Sequence, residues 1–384
     1  MKVLITGANG FVGKNLQLHL VERKDVQVVC FTRAHDVAQL PALLQDVDFV
    51  FHLAGVNRPQ DPAEFVSGNV DLTQALCEAV GALAATRGKK VPIVYTSSAQ
   101  AALANPYGQS KRGAEDALLA LAKNHQVPVH IFRLPNVFGK WCKPNYNSAV
   151  ATFCHNVARS LPIQVNDPAA PLTLVYVDDV VERFVSLMDE AGDMDCRASL
   201  AMTEGTLAMT EVSPQYTTTV GEVARLIQSF KTSRDTLMTE RVGTGLVRAL
   251  YSTYVSYLPV EAFTYTVPQH ADPRGVFVEM LKTPDAGQFS YFTAHPGITR
   301  GAHYHHSKTE KFLVIKGQAR FKFRHMQTGQ SHELATTGDK PEVVETVPGW
   351  THDITNIGSD EMVVMLWANE VFDRTHPDTF ACPL

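Results

Sequence analysis

Two groups of residues in this chain have the types and spacing to do chemistry, and they lie far apart in the sequence. The first is Tyr107-Gly108-Gln109-Ser110-Lys111, preceded by Thr96-Ser97-Ser98. A tyrosine and a lysine four positions apart on a helix share one face. An ammonium beside the phenol would lower its pKa, so that Tyr107 gives a proton to a developing alkoxide near neutral pH. Lys111 would also hold a nicotinamide ribose, and a serine hydroxyl from the preceding segment would polarise a carbonyl. The second group is histidine-rich: nine of the fifteen histidines lie beyond Pro268, among them His303 and His305. On a strand these two alternate onto the same face. A local excess of imidazole points to metal binding or proton transfer.

A tyrosine–lysine pair means little without a dinucleotide beside it, and the chain start supplies the expected cradle. The apolar run Lys2–Thr6 leads into Gly7-Ala8-Asn9-Gly10-Phe11-Val12-Gly13, which opens a helix. Gly7 permits a tight turn, Gly10 lets the backbone approach a pyrophosphate, and Gly13 allows close helix–strand packing. The pyrophosphate would rest on the positive helix N-terminus. The second strand ends at Arg33, where an acidic side chain would bind the ribose hydroxyls of NAD. An arginine there pairs instead with the 2′-phosphate of NADP, or is simply solvated at a strand end. NADPH is the expected cofactor.

The elements that must position these residues are legible as period changes. Strands are predicted over Lys2–Thr6, Val26–Thr32, Phe49–Leu53, Ile93–Thr96 and Val129–Phe132, with helices over Phe11–Glu22, Asp71–Thr86 and Lys111–Asn124. Such alternation predicts an α/β Rossmann-type, doubly wound parallel sheet. After residue 258 the pattern becomes all-β, with strands over Val276–Lys282, Gly287–Thr293, Lys311–His325, Glu342–Val347 and Met362–Asn369. A small barrel or double-sheet roll fits that pattern. The predicted division is a first domain over 1–245, a linker helix over 246–258 and a second domain over 259–384.

Composition narrows the function classes. The 384 residues are 45% hydrophobic and 19% charged, as in a globular chain with a sizeable core, and two domains are the natural expectation. A net charge of -5 leaves no electrostatic footprint for nucleic acid or an anionic membrane. The six cysteines are scattered and never form C-x-x-C, which suits reduced thiols. With no leader-like segment and no long apolar run, a cytoplasmic location is expected.

The first 240 residues or so resemble an extended short-chain dehydrogenase/reductase. The resemblance is carried by the glycine segment, the Ser and Tyr-x-x-x-Lys motifs, His52-Leu53-Ala54-Gly55, Arg133-Leu134-Pro135-Asn136-Val137-Phe138-Gly139 and Tyr176-Val177-Asp178-Asp179. It implies cofactor contacts from Leu53, Ala54 and Gly55, a catalytic Ser98 (with Ser97 second), and a nucleotide-sugar substrate. Three departures stand out. The usual third strand is shortened or absent between Arg33 and Phe49, and Leu172 stands where many members carry an arginine for the diphosphate. No Asp-Glu pair follows Thr96, which argues against a sugar dehydratase.

Gly297 to Gly317 resembles the first cupin motif at Gly297, His303, His305, Glu310 and Gly317, and Pro348-Gly349-Trp350-Thr351-His352 with Asn356 resembles the second. This implies a cupin barrel in which His303, His305, Glu310 and His352 bind a divalent metal, with zinc favoured. A second likeness, to the deoxysugar 3,5-epimerase branch, rests on Asp272-Pro273-Arg274-Gly275 and Arg300-Gly301-Ala302-His303-Tyr304. There His303 would be a general base and Arg274 would touch substrate. The metal reading is preferred, because that branch usually lacks a histidine at position 305.

The fusion as a whole is similar to bifunctional reductase/epimerases of capsule biosynthesis. Further support comes from Lys140-Trp141-Cys142-Lys143-Pro144-Asn145-Tyr146-Asn147 and from Leu250–Tyr254. That resemblance implies a UDP-linked 4-keto-6-deoxy amino sugar as substrate, with Asn136, Lys140, Trp141, Asn145 and Asn147 near it. It also implies C3 epimerisation in the cupin, C4 reduction by NADPH in the first domain, and a homodimer. Two rival readings keep the reductase alone with the cupin as a metal-stabilised dimerisation module, or make the chain a non-catalytic NADPH sensor.

Overall fold

The computed structural model describes the chain except for residues 197–206, 264, 266, 306, 307, 309, 327, 347–349 and 376. Its elements begin with β1 (Lys2–Thr6), α1 (Phe11–Val21), β2 (Gln27–Phe31), α2 (Leu40–Leu43), β3 (Phe49–His52), α3 (Leu72–Arg87), β4 (Ile93–Ser98) and α4 (Pro106–His125). They continue with β5 (Val129–Leu134), β6 (Asn136–Phe138), α5 (Ala149–Ala158), β7 (Pro171–Tyr176), α6 (Val177–Cys196), β8 (Leu207–Thr210), β9 (Tyr216–Thr219), α7 (Val220–Thr236) and α8 (Gly245–Ser256). By its contacts the chain divides into two compact units. One comprises Met1–Ala224 with Ser252–Tyr257, the other Arg225–Tyr251 with Leu258–Leu384.

In the first unit a parallel sheet runs in the order β2-β1-β3-β4-β5-β8. Alternate residues of its strands feed two separate cores, which is why the strands read as continuous apolar runs. Leu4, Val50, Tyr95 and Ile131 pack with α3 and α4 on one face. Val3, Ile5, Phe51, Val94 and Phe132 pack with α1 and α6 on the other. Between Arg33 and Phe49 there is only a 3₁₀ turn at Val37–Gln39 and the four-residue α2, so the usual third strand is absent and β3 pairs directly with β1. A small sheet, β6-β7-β9, stands beside the main one.

In the second unit follow β10 (His270–Asp272), β11 (Gly275–Thr283), β12 (Gly287–Ala294), β13 (Thr299–Tyr304), β14 (Glu310–Lys316) and β15 (Gln318–His325). Then come β16 (Ser331–Thr337), β17 (Val343–Glu345), β18 (Trp350–Asn356), β19 (Met362–Ala368) and β20 (Phe380–Ala381). Two antiparallel sheets form, β10-β11-β12-β19-β14-β17 and β16-β15-β18-β13-β20. Phe292, Phe312 and Val364 of the first and Phe321, Phe323 and Ile354 of the second share one core. The run Lys311–His325, expected as one strand, is two, broken at Gly317 with φ of 89°. Among the described residues no helix is long and apolar enough to cross a membrane.

Candidate active site and metal centre

The glycine segment forms the turn from β1 into α1. Gly7 has φ of 71°, and a Cβ there would lie 2.6 Å from the Ala54 nitrogen beyond β3. A Cβ at Gly13 would lie 2.4 Å from the Gly7 carbonyl oxygen, so helix and loop meet at a distance no other residue allows. Asn9 and Gly10 are exposed in this turn, and Gly10 caps α1 with no side-chain partner for the helix amides. Those amides are therefore available to an anion. Arg33 is exposed just past β2.

A cleft of about 1270 Å³ opens along the strand ends, and its wall includes Phe11, Val12, Leu53, Gly55, Ser97, Ser98, Tyr107 and Lys111. The helix expected to begin near Lys111 starts at Pro106. Asn105 caps it by accepting the Gly108 N–H at 2.7 Å, so Tyr107 and Lys111 both ride on α4. The two serines separate by role. Ser97 is buried and donates to Glu115, which Arg133 grips through two hydrogen bonds of 2.9 and 2.6 Å. Burial alone would raise the Glu115 carboxyl, but the bonds from Arg133 and Ser97 outweigh it and hold it below its ordinary range. Ser98 faces the cleft, and its hydroxyl draws the Tyr107 phenol down against burial.

The electrostatics of the pair differ from the sequence expectation. Burial raises the Tyr107 phenol above its ordinary value, and the Ser98 hydroxyl opposes it. The Lys111 ammonium is held by β4. It donates to the Thr96 carbonyl at 2.9 Å and sits 5.0 Å from the Tyr95 ring centroid. Burial pulls its own pKa down to about 8, with the Glu115 carboxylate pulling the other way.

The substrate candidates divide. Asn136, Asn145 and Asn147 line the cleft, whereas Lys140 and Trp141 do not. Lys140 pairs with Asp178, which His19 also reaches at 3.0 Å, and Trp141 is exposed beneath the Lys140 ammonium. Arg274 belongs to the second unit, in the turn between β10 and β11, where it pairs with Asp272. Arg58 on the cleft wall and Asn69, which braces that wall through Val56, had no sequence signature. Arg58 donates to the Tyr146 carbonyl at 2.5 Å. Asn69, buried, clasps both backbone groups of Val56 at 2.7 and 3.0 Å and the Ser110 hydroxyl at 2.9 Å.

In the second unit the donor atoms of His303, His305, Glu310 and His352 all lie within 4.8 Å of one another. Strand pairing explains the convergence. His303 on β13 faces His352 on β18 in register, after a bulge at Gly301–His303, and Glu310 opens β14 of the other sheet. Glu310 Oε2 lies 3.2 Å from His305 Nε2 and 3.5 Å from His352 Nε2. His303 Nε2 and both His352 ring nitrogens are buried with no hydrogen-bond partner. Burial lowers His303 to about 4, so its ring is neutral. His303 and His352 with unpartnered ring nitrogens, and His305 against the Glu310 carboxylate, fit a divalent cation. Pro348 and Gly349 of the second motif lie outside the described residues; Asn356 is buried and donates to the Ala294 and Asp360 carbonyls at 2.9 and 2.8 Å.

A parallel α/β sheet with a glycine turn, a Ser–Tyr–Lys wall and a cleft at the strand ends defines a nucleotide-binding class. The chain belongs to the NAD dependent epimerase/dehydratase family, which it matches over residues 3–196. Residues 270–380 match the polysaccharide biosynthesis C-terminal domain. Over 382 residues the chain is 62% identical to UDP-2-acetamido-2,6-beta-L-arabino-hexul-4-ose reductase of Pseudomonas aeruginosa, covering 100% of this chain and 98% of that protein. The crystal structure of the capsular polysaccharide assembling protein CapF from Staphylococcus aureus superimposes with a TM-score of 0.84 at 41% identity, with 100% of both chains covered. UDP-glucuronic acid 4-epimerase from Bacillus cereus, solved with NAD, shares the fold at 18% identity and a TM-score of 0.54, over 67% of this chain and 98% of that one.

Proposed function

We propose that the chain is a reductase of a UDP-linked 4-keto sugar, UDP-2-acetamido-2,6-dideoxy-β-L-arabino-hexos-4-ulose. Its second unit would invert C3, and the first would reduce C4 with NADPH to UDP-N-acetyl-6-deoxy-L-talosamine, on the route to UDP-N-acetyl-L-fucosamine. The observation that carries this reading is the convergence of Ser98, Tyr107 and Lys111 on the wall of a large cleft. The identity to a reductase named for this ketone supports the substrate.

Bound NADPH supplies the hydride, with its 2′-phosphate assigned to Arg33. Ser98 and Tyr107 hold the C4 carbonyl oxygen between two O–H donors. As C4 gains the hydride, its oxygen takes the Tyr107 proton. A phenol raised by burial stays protonated at neutral pH and so is poised as the acid. Lys111, which donates to the Thr96 carbonyl, would grip the nicotinamide ribose.

Epimerisation depends on the same ketone, because it acidifies the C3 proton; loss of that proton and return of one to the other face inverts the carbon. A divalent ion, zinc by preference, held by His303, His305, Glu310 and His352, would supply positive charge for this step.

The test is NADPH oxidation with this ketone, together with C3 proton exchange in heavy water without NADPH. The Tyr107→Phe chain is expected to lose at least about 100-fold in NADPH oxidation while its exchange stays intact. A wild-type chain that oxidises no NADPH with the ketone rejects the reductase assignment, and absence of exchange rejects the epimerase.

A further inference from the structure

We propose that Asp378–Cys382 is a strap that positions the histidine cluster, with the Asp378 carbonyl fixing the tautomer of His305; this rests on reading the cluster as a metal site. Each of the four cluster residues is held directly or through a near neighbour. The His305 Nδ1–H donates to the Asp378 carbonyl, and the Lys308 N–H donates to the Asp378 carboxylate at 2.8 Å. β20 pairs His303 with Ala381 and Tyr304 with Phe380, and the Tyr304 and Phe380 rings stack at 5.4 Å. The Cys382 N–H donates to the Ala302 carbonyl at 2.8 Å, and the Thr351 hydroxyl, beside His352, donates to the Cys382 carbonyl.

The contact to His305 has a chemical consequence. A carbonyl oxygen can only accept, so the proton on this ring sits at Nδ1. In the neutral ring Nε2 is then a bare lone pair, and it faces Glu310 Oε2 at 3.2 Å. The Lys308 ammonium takes the other Glu310 oxygen, Oε1, at 3.1 Å, which leaves Oε2 and the bare Nε2 facing each other as two lone-pair donors. By choosing the tautomer, the strap turns a histidine–carboxylate contact into two metal donors. Outer contacts of this kind orient ligands and typically change metal affinity by about 10- to 100-fold. The strap is thus a positioning element and touches no substrate.

The experiment uses the full-length chain, titrated with Co²⁺ after chelation and followed by visible absorption. In parallel, ¹⁵N-histidine NMR of the metal-free protein reads the His305 tautomer. Cys382→Pro removes the N–H that bonds Ala302. It should weaken Co²⁺ binding at least about 10-fold, alter the cobalt bands and mix the His305 tautomers. Cys382→Ala keeps the backbone bond and should match wild type in all three readings. Thr351→Val, which loses a single hydrogen bond, should fall between them and guards against a proline variant that does not fold. Unchanged cobalt affinity, bands and tautomer in both Cys382→Pro and Thr351→Val overturn the proposal. If the wild-type chain binds no Co²⁺, the metal reading fails, and the strap stands or falls on whether the tautomer responds in the metal-free variants.

Discussion

At the scale of single residues, the charge balance of the cleft singles out Arg58. A UDP diphosphate brings about two negative charges, yet Leu172 lines the cleft where the resemblance to nucleotide-sugar enzymes implied an arginine. Of the side chains on the cleft wall, the cations are Arg58 and Lys111. Lys111 is committed to the Thr96 carbonyl and is buried, which leaves Arg58 to meet the substrate. Its bond to the Tyr146 carbonyl already ties it to the segment bearing Asn145 and Asn147. Arg58→Met is expected to raise KM for the UDP-sugar about 10-fold or more, the worth of a charge-assisted hydrogen bond. Steady-state kinetics should show kcat little changed, and fluorescence titration should show the NADPH Kd unchanged. An unaltered KM would remove Arg58 from the site. Nothing in the local sequence marked this residue. Its significance comes from a wall assembled out of separate loops, helices and strand ends, and spacing rules see only one segment at a time.

At the scale of elements, the glycine turn is stapled by a buried histidine. His52, at the end of β3, binds Thr6 of β1 through Nδ1 at 2.7 Å and Thr73 of α3 through Nε2 at 2.8 Å. Thr6 Oγ1 in turn accepts the Ala54 N–H at 3.2 Å, which seats the strand-end loop against Gly7. Burial, with the Lys111 charge adding to it, depresses His52 from about 6.5 to about 3. The unfolded chain therefore takes up a proton that the folded chain refuses between those values. Stability from this group is present above about pH 6.5 and is lost as pH falls toward about 3. At about 1.4 kcal/mol per pH unit, the wild-type chain should lose about 2 kcal/mol between about pH 7 and about pH 5. His52→Asn should lack that part of the slope; urea titrations at both pH values, followed by the helical circular dichroism signal, measure it. Equal slopes would show that His52 is already charged in the fold. The parts legible in advance were local ones. The glycine turn and the Tyr107–Lys111 face follow from helical period and steric need within a dozen residues. The Tyr107 environment was not legible, because the ammonium's partner, Thr96, comes from a different element 15 residues away.

At the scale of the whole molecule, the proposed function puts two chemistries on two units with separate cores, and the ketone is the one feature both would require. The division into a parallel and an antiparallel part was readable because hydrophobic period changes from helical alternation to strands after residue 258. The convergence of the histidine–carboxylate cluster in the second part was also readable, since His303, His305 and Glu310 lie within eight residues. Its support was not: the Asp378 carbonyl meets His305 across 73 positions, a pairing that only the folded sheet creates. If the metal serves epimerisation alone, removing it should separate the two activities. Chelator-treated chain is expected to bind NADPH with unchanged affinity and to lose C3 exchange in heavy water. Given ketone that untreated enzyme has already equilibrated and that has then been filtered free of it, the treated chain should oxidise NADPH at close to the untreated rate. Given fresh ketone, it should yield no talo-configured product. The distinction matters because a purely structural metal would predict the opposite pattern, with thermal stability falling while exchange, measured below the transition, persists. Exchange that survives complete metal removal would leave His303 with its neutral ring as the base, and the four-residue cluster would have to be reassigned to holding the sheets together.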